Sequence, residues 1–136
     1  MTDSCTFCAI LAGGVPARFV YEDDAACAFL DINPLRLGHT LVVPRRHVRD
    51  LTDDCAAETL AAIGPALHQT ALLLSTKLVA DGISVLQANG SAAGQTVFHL
   101  HFHLLPRHTG DTPLTDWTPD TQARLTLAET HHTLTT

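Results

Sequence analysis

The sequence predicts an α+β domain, and three observations carry that expectation. Strand-like stretches recur five times: residues 19–22, 26–30, 38–44, 83–88 and from Val97 onward. Between them, over residues 53–80, the pattern turns helical, with Cys55, Leu60, Ile63, Leu67, Ala71, Leu74 and Leu78 at intervals of three to five. The chain has 136 residues, 46% hydrophobic and 16% charged, which suits one domain spanning 1–136 with a core of its own.

Cys5-Thr6-Phe7-Cys8 opens the chain and leads into Ala9-Ile10-Leu11-Ala12, a turn or two of helix ended by Gly13, Gly14 and Pro16. The C-x-x-C spacing lets two thiolates share one tetrahedral zinc. A redox pair has the same spacing but follows a core strand, and none precedes this one; two small core residues are the plain alternative. Phe19–Glu22 and Ala26–Leu30, joined at Asp23-Asp24, read as an antiparallel hairpin. Pro34 ends the second strand, and Asp31 there is either a turn-former or a carboxylate able to accept two ribose hydroxyls.

Gly38–Pro44 is apolar almost throughout and reads as a central strand, after which Arg45-Arg46-His47 leaves the core with His47 placed to be a metal ligand. Thr52 or Asp53 is expected to cap the long helix, Pro65 to kink or divide it, and Gly82 to turn the chain at its end. Residues 83–88 form the fourth strand. The loop from Asn89 to Thr96 carries glycines and the side chains of Asn89, Gln95 and Thr96, which can meet an oxyanion, although the GK[ST] ending of a P-loop is absent.

His99-Leu100-His101-Phe102-His103-Leu104-Leu105 concentrates more chemistry than any other stretch. Strand alternation puts three imidazoles on one face, roughly 6.6 Å apart, and Phe98, Leu100, Phe102 and Leu104 on the other. Such a face can hold a small anion or a metal. Beyond Pro106 the pattern fades into a tail with Trp117, a weak helical tendency around 122–129, and His131 and His132 expected at the surface.

Composition narrows the partners. A net charge of -6 with eight Lys and Arg opposes a grip on nucleic acid polymers, which needs many neutralised phosphates. No apolar run approaches the roughly 20 residues of a membrane span. Asp3 and the shortness of the run from Phe7 to Ala12 are unlike a signal peptide, so a cytoplasmic location is expected, where four cysteines serve metal or packing before disulfides.

These residues resemble the histidine triad (HIT) superfamily, whose motif H-φ-H-φ-H-φ-φ is met from His99 to Leu105. Ala28-Phe29-Leu30-Asp31-Ile32, Gly38–Pro44, His47, Asn89-Gly90 and Gly94-Gln95 fall in the order and spacing of its bacterial and Hint-like members, over a core of about residues 5–107 that leaves 108–136 unmatched. The resemblance implies a five-stranded antiparallel sheet with one long and one short helix, commonly paired into a ten-stranded sheet in a homodimer. It implies a nucleotide hydrolase acting at the α-phosphate of a purine nucleotide, a phosphoramidate or a dinucleoside polyphosphate. His101 would be the nucleophile and His103 its catalytic neighbour; Asp31 would hold the ribose, and Ile32, Asn89, Gly94, Gln95, Thr96 and His103 would line the rest of the substrate site. His at the third motif position, where the transferase branch typically has Gln, favours a hydrolase. Many relatives carry Ser where Thr96 stands. Cys5, Cys8, His47 and His99 resemble the structural zinc site of zinc-containing bacterial members. A nucleotide-binding regulatory protein with incidental turnover is the rival function.

Overall fold

The structure, a computed structural model, describes residues 5–136, so Asp3 lies outside the described residues. Strands β1 (Phe19–Glu22), β2 (Ala26–Leu30), β3 (Thr40–Pro44), β4 (Gly82–Leu86) and β5 (Phe102–Arg107) form one antiparallel sheet in the order β1-β2-β3-β5-β4. Helix α1 (Thr6–Leu11) covers one face and the long helix α2 (Ala56–Lys77) the other. Strand alternation divides the core between them. Ala26, Ala28, Leu30, Val42 and Leu104 pack with Ile63, Ala66 and Leu74 of α2, while Cys27, Phe29, Leu41 and Val43 pack with Phe7 and Ile10 of α1.

The expected architecture is present: five antiparallel strands with a long and a short helix. Several local expectations are corrected. Pro65 does not divide α2, which runs as one helix of 22 residues. Pro65 and Ala61 are both exposed, so the Ala61 carbonyl that loses its partner can be hydrated. Neither Thr52 nor Asp53 caps the helix; Cys55 stands at the N-cap, and the Asp53 carboxylate instead accepts from the backbone N–H of Cys55 and of Arg49, ordering the turn before it. The chain turns out of α2 at Val79, whose φ of 51° is left-handed, with Ala80 N–H bonding the Ser75 carbonyl; Gly82 already belongs to β4.

The tail holds two helices, α3 (Thr121–Leu125), capped by Asp120, and α4 (Leu127–Thr135). Leu134 enters the α2-side core, and His131 is half-buried with Nε2–H donating to the Phe19 carbonyl at 2.8 Å, so it is not a free surface residue; His132 is exposed. Among the described residues no helix is long and apolar enough to cross a membrane.

Candidate active site

The ladder of β5 begins at Phe102, so His99 and His101 precede the strand that alternation predicts from Val97. The reason lies opposite. β3 ends at Pro44, whose carbonyl is taken at 2.8 Å by the His99 ring Nε2–H, and the Leu100 N–H turns to the Val48 carbonyl. Alternation of side chains survives: Leu100 packs with Val48 and Ala56, while His101 lies against Phe7. The ring centroids of His101 and His103 are 4.9 Å apart, closer than an extended strand spaces them.

The hydrogen bonds assign each imidazole a tautomer. His99 donates through Nε2, leaving the lone pair on Nδ1. His101 donates Nδ1–H to the His99 carbonyl at 2.7 Å, leaving its lone pair on Nε2. His39, fully buried, accepts from Leu35 N–H on Nδ1 at 3.0 Å, so its proton is on Nε2 and is donated to His103 Nδ1 at 2.9 Å. His103 then carries its own proton on Nε2. Burial holds these rings neutral, pushing His39 down to about 4 and His103 to about 3, and lowering His101 as well.

His101 and His103 line a cavity of about 520 Å³. Phe7, Ile10, Ala17 and Phe29 make part of its wall apolar; Asp31, Ile32, Gln95 and Thr96 line it as well. One Asp31 oxygen accepts from Asn33 N–H in a turn, and the other stands 3.6 Å from His39 Nε2, so the turn-forming role uses only half the carboxylate. Gln95 is buried and spent internally: it accepts from Gly90 N–H and donates to the carbonyls of Arg49 and Val97. Gly94, at φ 98°, closes the turn Ser91–Ala93, and its N–H bonds the Ser91 carbonyl. Thr96 is an exposed part of the wall. Asn89 is not among the lining residues; its amide bridges Gln87 and the Leu51 N–H, which fixes the base of the loop.

The sequence assigns His39 no role, and it names Trp117 only within the unmatched tail expected to supply surface beyond the α-phosphate. His39 underpins His103, and the signal was an imidazole inside an otherwise apolar central strand. Trp117, half-exposed, lies with its ring centroid 4.9 Å from that of His103 and lines the cavity. The tail carrying it is tied down by Arg36 and Arg107, both donating to the Thr112 carbonyl, and by Asp120 N–H on the Pro34 carbonyl.

Cys5, Cys8, His47 and His99 converge across α1, the β3 exit and the histidine segment, with one donor atom from each within 4.8 Å of the others. His99 Nδ1 lies 3.4 Å from both Sγ atoms and 3.2 Å from His47 Nδ1, which is 3.2 Å from Cys8 Sγ. Tetrahedral zinc with bonds of about 2.0–2.3 Å has donor–donor edges of roughly 3.3–3.8 Å, so these spacings fit within a few tenths of an ångström. The donors fit chemically too. Burial keeps His99 neutral, down to about 4, and its Nδ1 lone pair enters the cluster. Burial, with Cys5 beside it, pushes the Cys8 thiol up to about 11, a cost that a bound cation reverses.

The five-stranded antiparallel sheet, the cavity lined by His101 and His103, and the Cys2His2 cluster that includes His99 together define a histidine-rich site on one α+β domain. The chain belongs to the HIT family, whose HIT domain matches residues 12–110. It is 45% identical over 107 residues to an uncharacterized HIT-like protein of Methanocaldococcus jannaschii, covering 79% of this chain and 81% of that one. It is 36% identical over 115 residues to the adenylylsulfatase HINT3 of Arabidopsis thaliana, covering 82% of this chain and 56% of the relative. Among solved structures it resembles a Zn-bound histidine triad family protein of Mycobacterium smegmatis, with a TM-score of 0.81, 38% identity, and coverage of 98% of this chain and 95% of that one.

Proposed function

We propose that this HIT protein hydrolyses a purine nucleotide at its α-phosphate, through a nucleotidyl-histidine intermediate on His101, and releases a nucleoside monophosphate. The observation that carries the reading is the tautomer of His101: with Nδ1–H held by the His99 carbonyl, the unprotonated Nε2 is the nucleophilic atom at the cavity. The base occupies the apolar part of the cavity between Phe7, Ile10 and Phe29, with Ile32 beside it. The free Asp31 oxygen takes the ribose hydroxyls. In the first step the Nε2–phosphorus bond forms as the bond to the leaving group breaks, and the leaving group keeps the bonding pair and takes a proton from solvent. His103 Nε2–H, held in that tautomer by His39, and the Thr96 hydroxyl donate hydrogen bonds to the phosphate oxygens and to the leaving-group atom. Gly94 and Gln95 shape the loop that presents Thr96. In the second step water attacks phosphorus and loses a proton to solvent, while the phosphorus–Nε2 bond breaks with its electron pair returning to Nε2, so His101 is released neutral with Nδ1–H still held.

Cys5, Cys8, His47 and His99 would hold a structural zinc, since four protein ligands leave no open position. With zinc bound there, Cys5 and Cys8 would be tied to His47 at the β3 exit and to His99 of the histidine segment. We further read the protein as a homodimer, with the outward edge of β4, where Val85 is half-exposed, as the strand that pairs with a second copy; sedimentation at twice the chain mass tests it.

The deciding experiment incubates the protein with an adenosine phosphoramidate and a diadenosine polyphosphate. Release of AMP that falls at least about 10³-fold in His101→Ala supports the reading. An unchanged rate in that variant defeats the nucleophile assignment, and AMP binding without turnover across a broad panel would replace the hydrolase with a binding module. Metal analysis should find one zinc per chain.

A further inference from the structure

Helix α1 has six residues, too few to hold a helix by its own hydrogen bonds. It buries Phe7 and Ile10, and at its start the Cys5 Sγ accepts from the Cys8 N–H at 3.2 Å. The two cysteines that flank Phe7 belong to the Cys2His2 cluster, while Thr6, Phe7 and Ile10 line the catalytic cavity. One short helix therefore faces two sites.

Phe7 bridges them. Its ring meets His101 edge-on, with centroids 5.0 Å apart and planes at 87°, and meets His99 at 5.9 Å and Phe29 at 5.5 Å. A second link runs through the backbone, because the residue that offers Nδ1 to the cluster also offers its carbonyl to His101 Nδ1–H. Whatever clamps Cys5 and Cys8 onto His47 and His99 also presses Phe7 onto the nucleophile and sets the apolar wall.

We propose that Phe7 is a positioning residue that couples the Cys5-Cys8-His47-His99 centre to the nucleotide cavity, so that metal and nucleotide bind cooperatively. The inference rests on the nucleotide and zinc readings above. With the four donors unclamped, α1 is held to the sheet mainly by Phe7 and Ile10, and a nucleotide must order that wall as it binds. With the metal in place the wall is already ordered. Reciprocity follows: the factor by which zinc tightens nucleotide binding equals the factor by which nucleotide tightens zinc binding.

The test measures AMP affinity by calorimetry on zinc-loaded and zinc-stripped full chain, and zinc affinity by chelator competition with and without saturating AMP. Both factors should be equal and about tenfold or more, which is about 1.4 kcal/mol of coupling. In Phe7→Leu, which keeps most of the packing volume, and in Phe7→Ala, the coupling factor should fall below about threefold. A residue that only filled space would weaken both affinities and leave their ratio intact. Equal AMP affinity in loaded and stripped protein, or undiminished coupling in both variants, overturns the proposal. Should the stripped chain lose its far-ultraviolet signal, the shift of zinc affinity by AMP in the two variants decides alone. If loaded wild-type protein binds no AMP at all, the nucleotide reading itself fails, an outcome distinct from AMP binding that ignores zinc.

Discussion

Gly38→Ala joins stability and chemistry in one substitution. Gly38 has φ 86°, and a Cβ there would stand 2.5 Å from Leu78 Cδ1 and 2.9 Å from Pro106 Cγ, where the end of α2 meets β5. The left-handed backbone costs an alanine about 1–2 kcal/mol. Overpacking against Leu78 and the stiffer Pro106 ring adds about 1–3 kcal/mol, for a total of about 2–5 kcal/mol. The strain falls next to the site. The Thr40 hydroxyl donates to the Gly38 carbonyl, and His39, the next residue, holds His103 through the 2.9 Å bond. Urea unfolding of zinc-loaded protein should show the full loss, and the rate of AMP release should fall at least about tenfold as the His39–His103 bond is displaced. Adding Leu78→Ala removes the nearest clash, so the double variant should lose less than the sum of the singles. A Gly38→Ala protein within about 1 kcal/mol of wild type would refute the close approach.

Further outcomes follow from other parts of the molecule. His39 and His103 are pushed from 6.5 to about 4 and about 3, so the unfolded chain binds more protons than the native one below pH 6.5. Stability is therefore complete above that pH and lost as pH falls toward 4; at pH 5 each ring costs about 2 kcal/mol, read as a lower urea midpoint than at pH 7, and equal midpoints would mean the rings are not held neutral. Val79→Gly relieves a β-branched residue at φ 51° and, net of the entropy glycine loses, should raise stability by about 0.5–1 kcal/mol in thermal unfolding. Gln95→Glu turns two donated bonds into repulsion between a carboxylate and the Arg49 and Val97 carbonyls; a loss of about 2–4 kcal/mol is expected in denaturant melts, and a neutral result would show that the loop does not depend on it.

Much of the site was legible because its chemistry is written in residue types that sit close together in the chain. Three imidazoles within five positions, a C-x-x-C pair and an aspartate at a strand end announced the histidine segment, the Cys2His2 cluster and the carboxylate on the cavity wall. The less legible parts are those where a polar side chain serves the protein and not a ligand. Asn89 and Gln95 carry amides suited to an oxyanion, yet both are consumed holding the loop. The polar inventory of a loop does not reveal which groups the backbone will claim. His39 was hidden for the converse reason: within the strand it looks like core, and its role exists only once β3 lies beside β5.

The sequence by itself determined the sheet and its two faces, because side-chain direction along a strand is a local property: Ala26, Ala28 and Leu30 go one way, Cys27 and Phe29 the other. It also determined the existence of α2, whose apolar period outlasts Pro65, though not the fate of that proline. The tertiary structure decided which nitrogen of each histidine carries a proton. His39 and His103 are 64 residues apart, and Cys8 and His99 are 91 apart. Tautomer, neutrality and cluster geometry depend on the acceptors and the burial that such distant partners supply, so the same motif read alone holds three equivalent rings, and the fold places one of them in the Cys2His2 cluster, leaves one with its lone pair on Nε2, and leaves one with its N–H on Nε2.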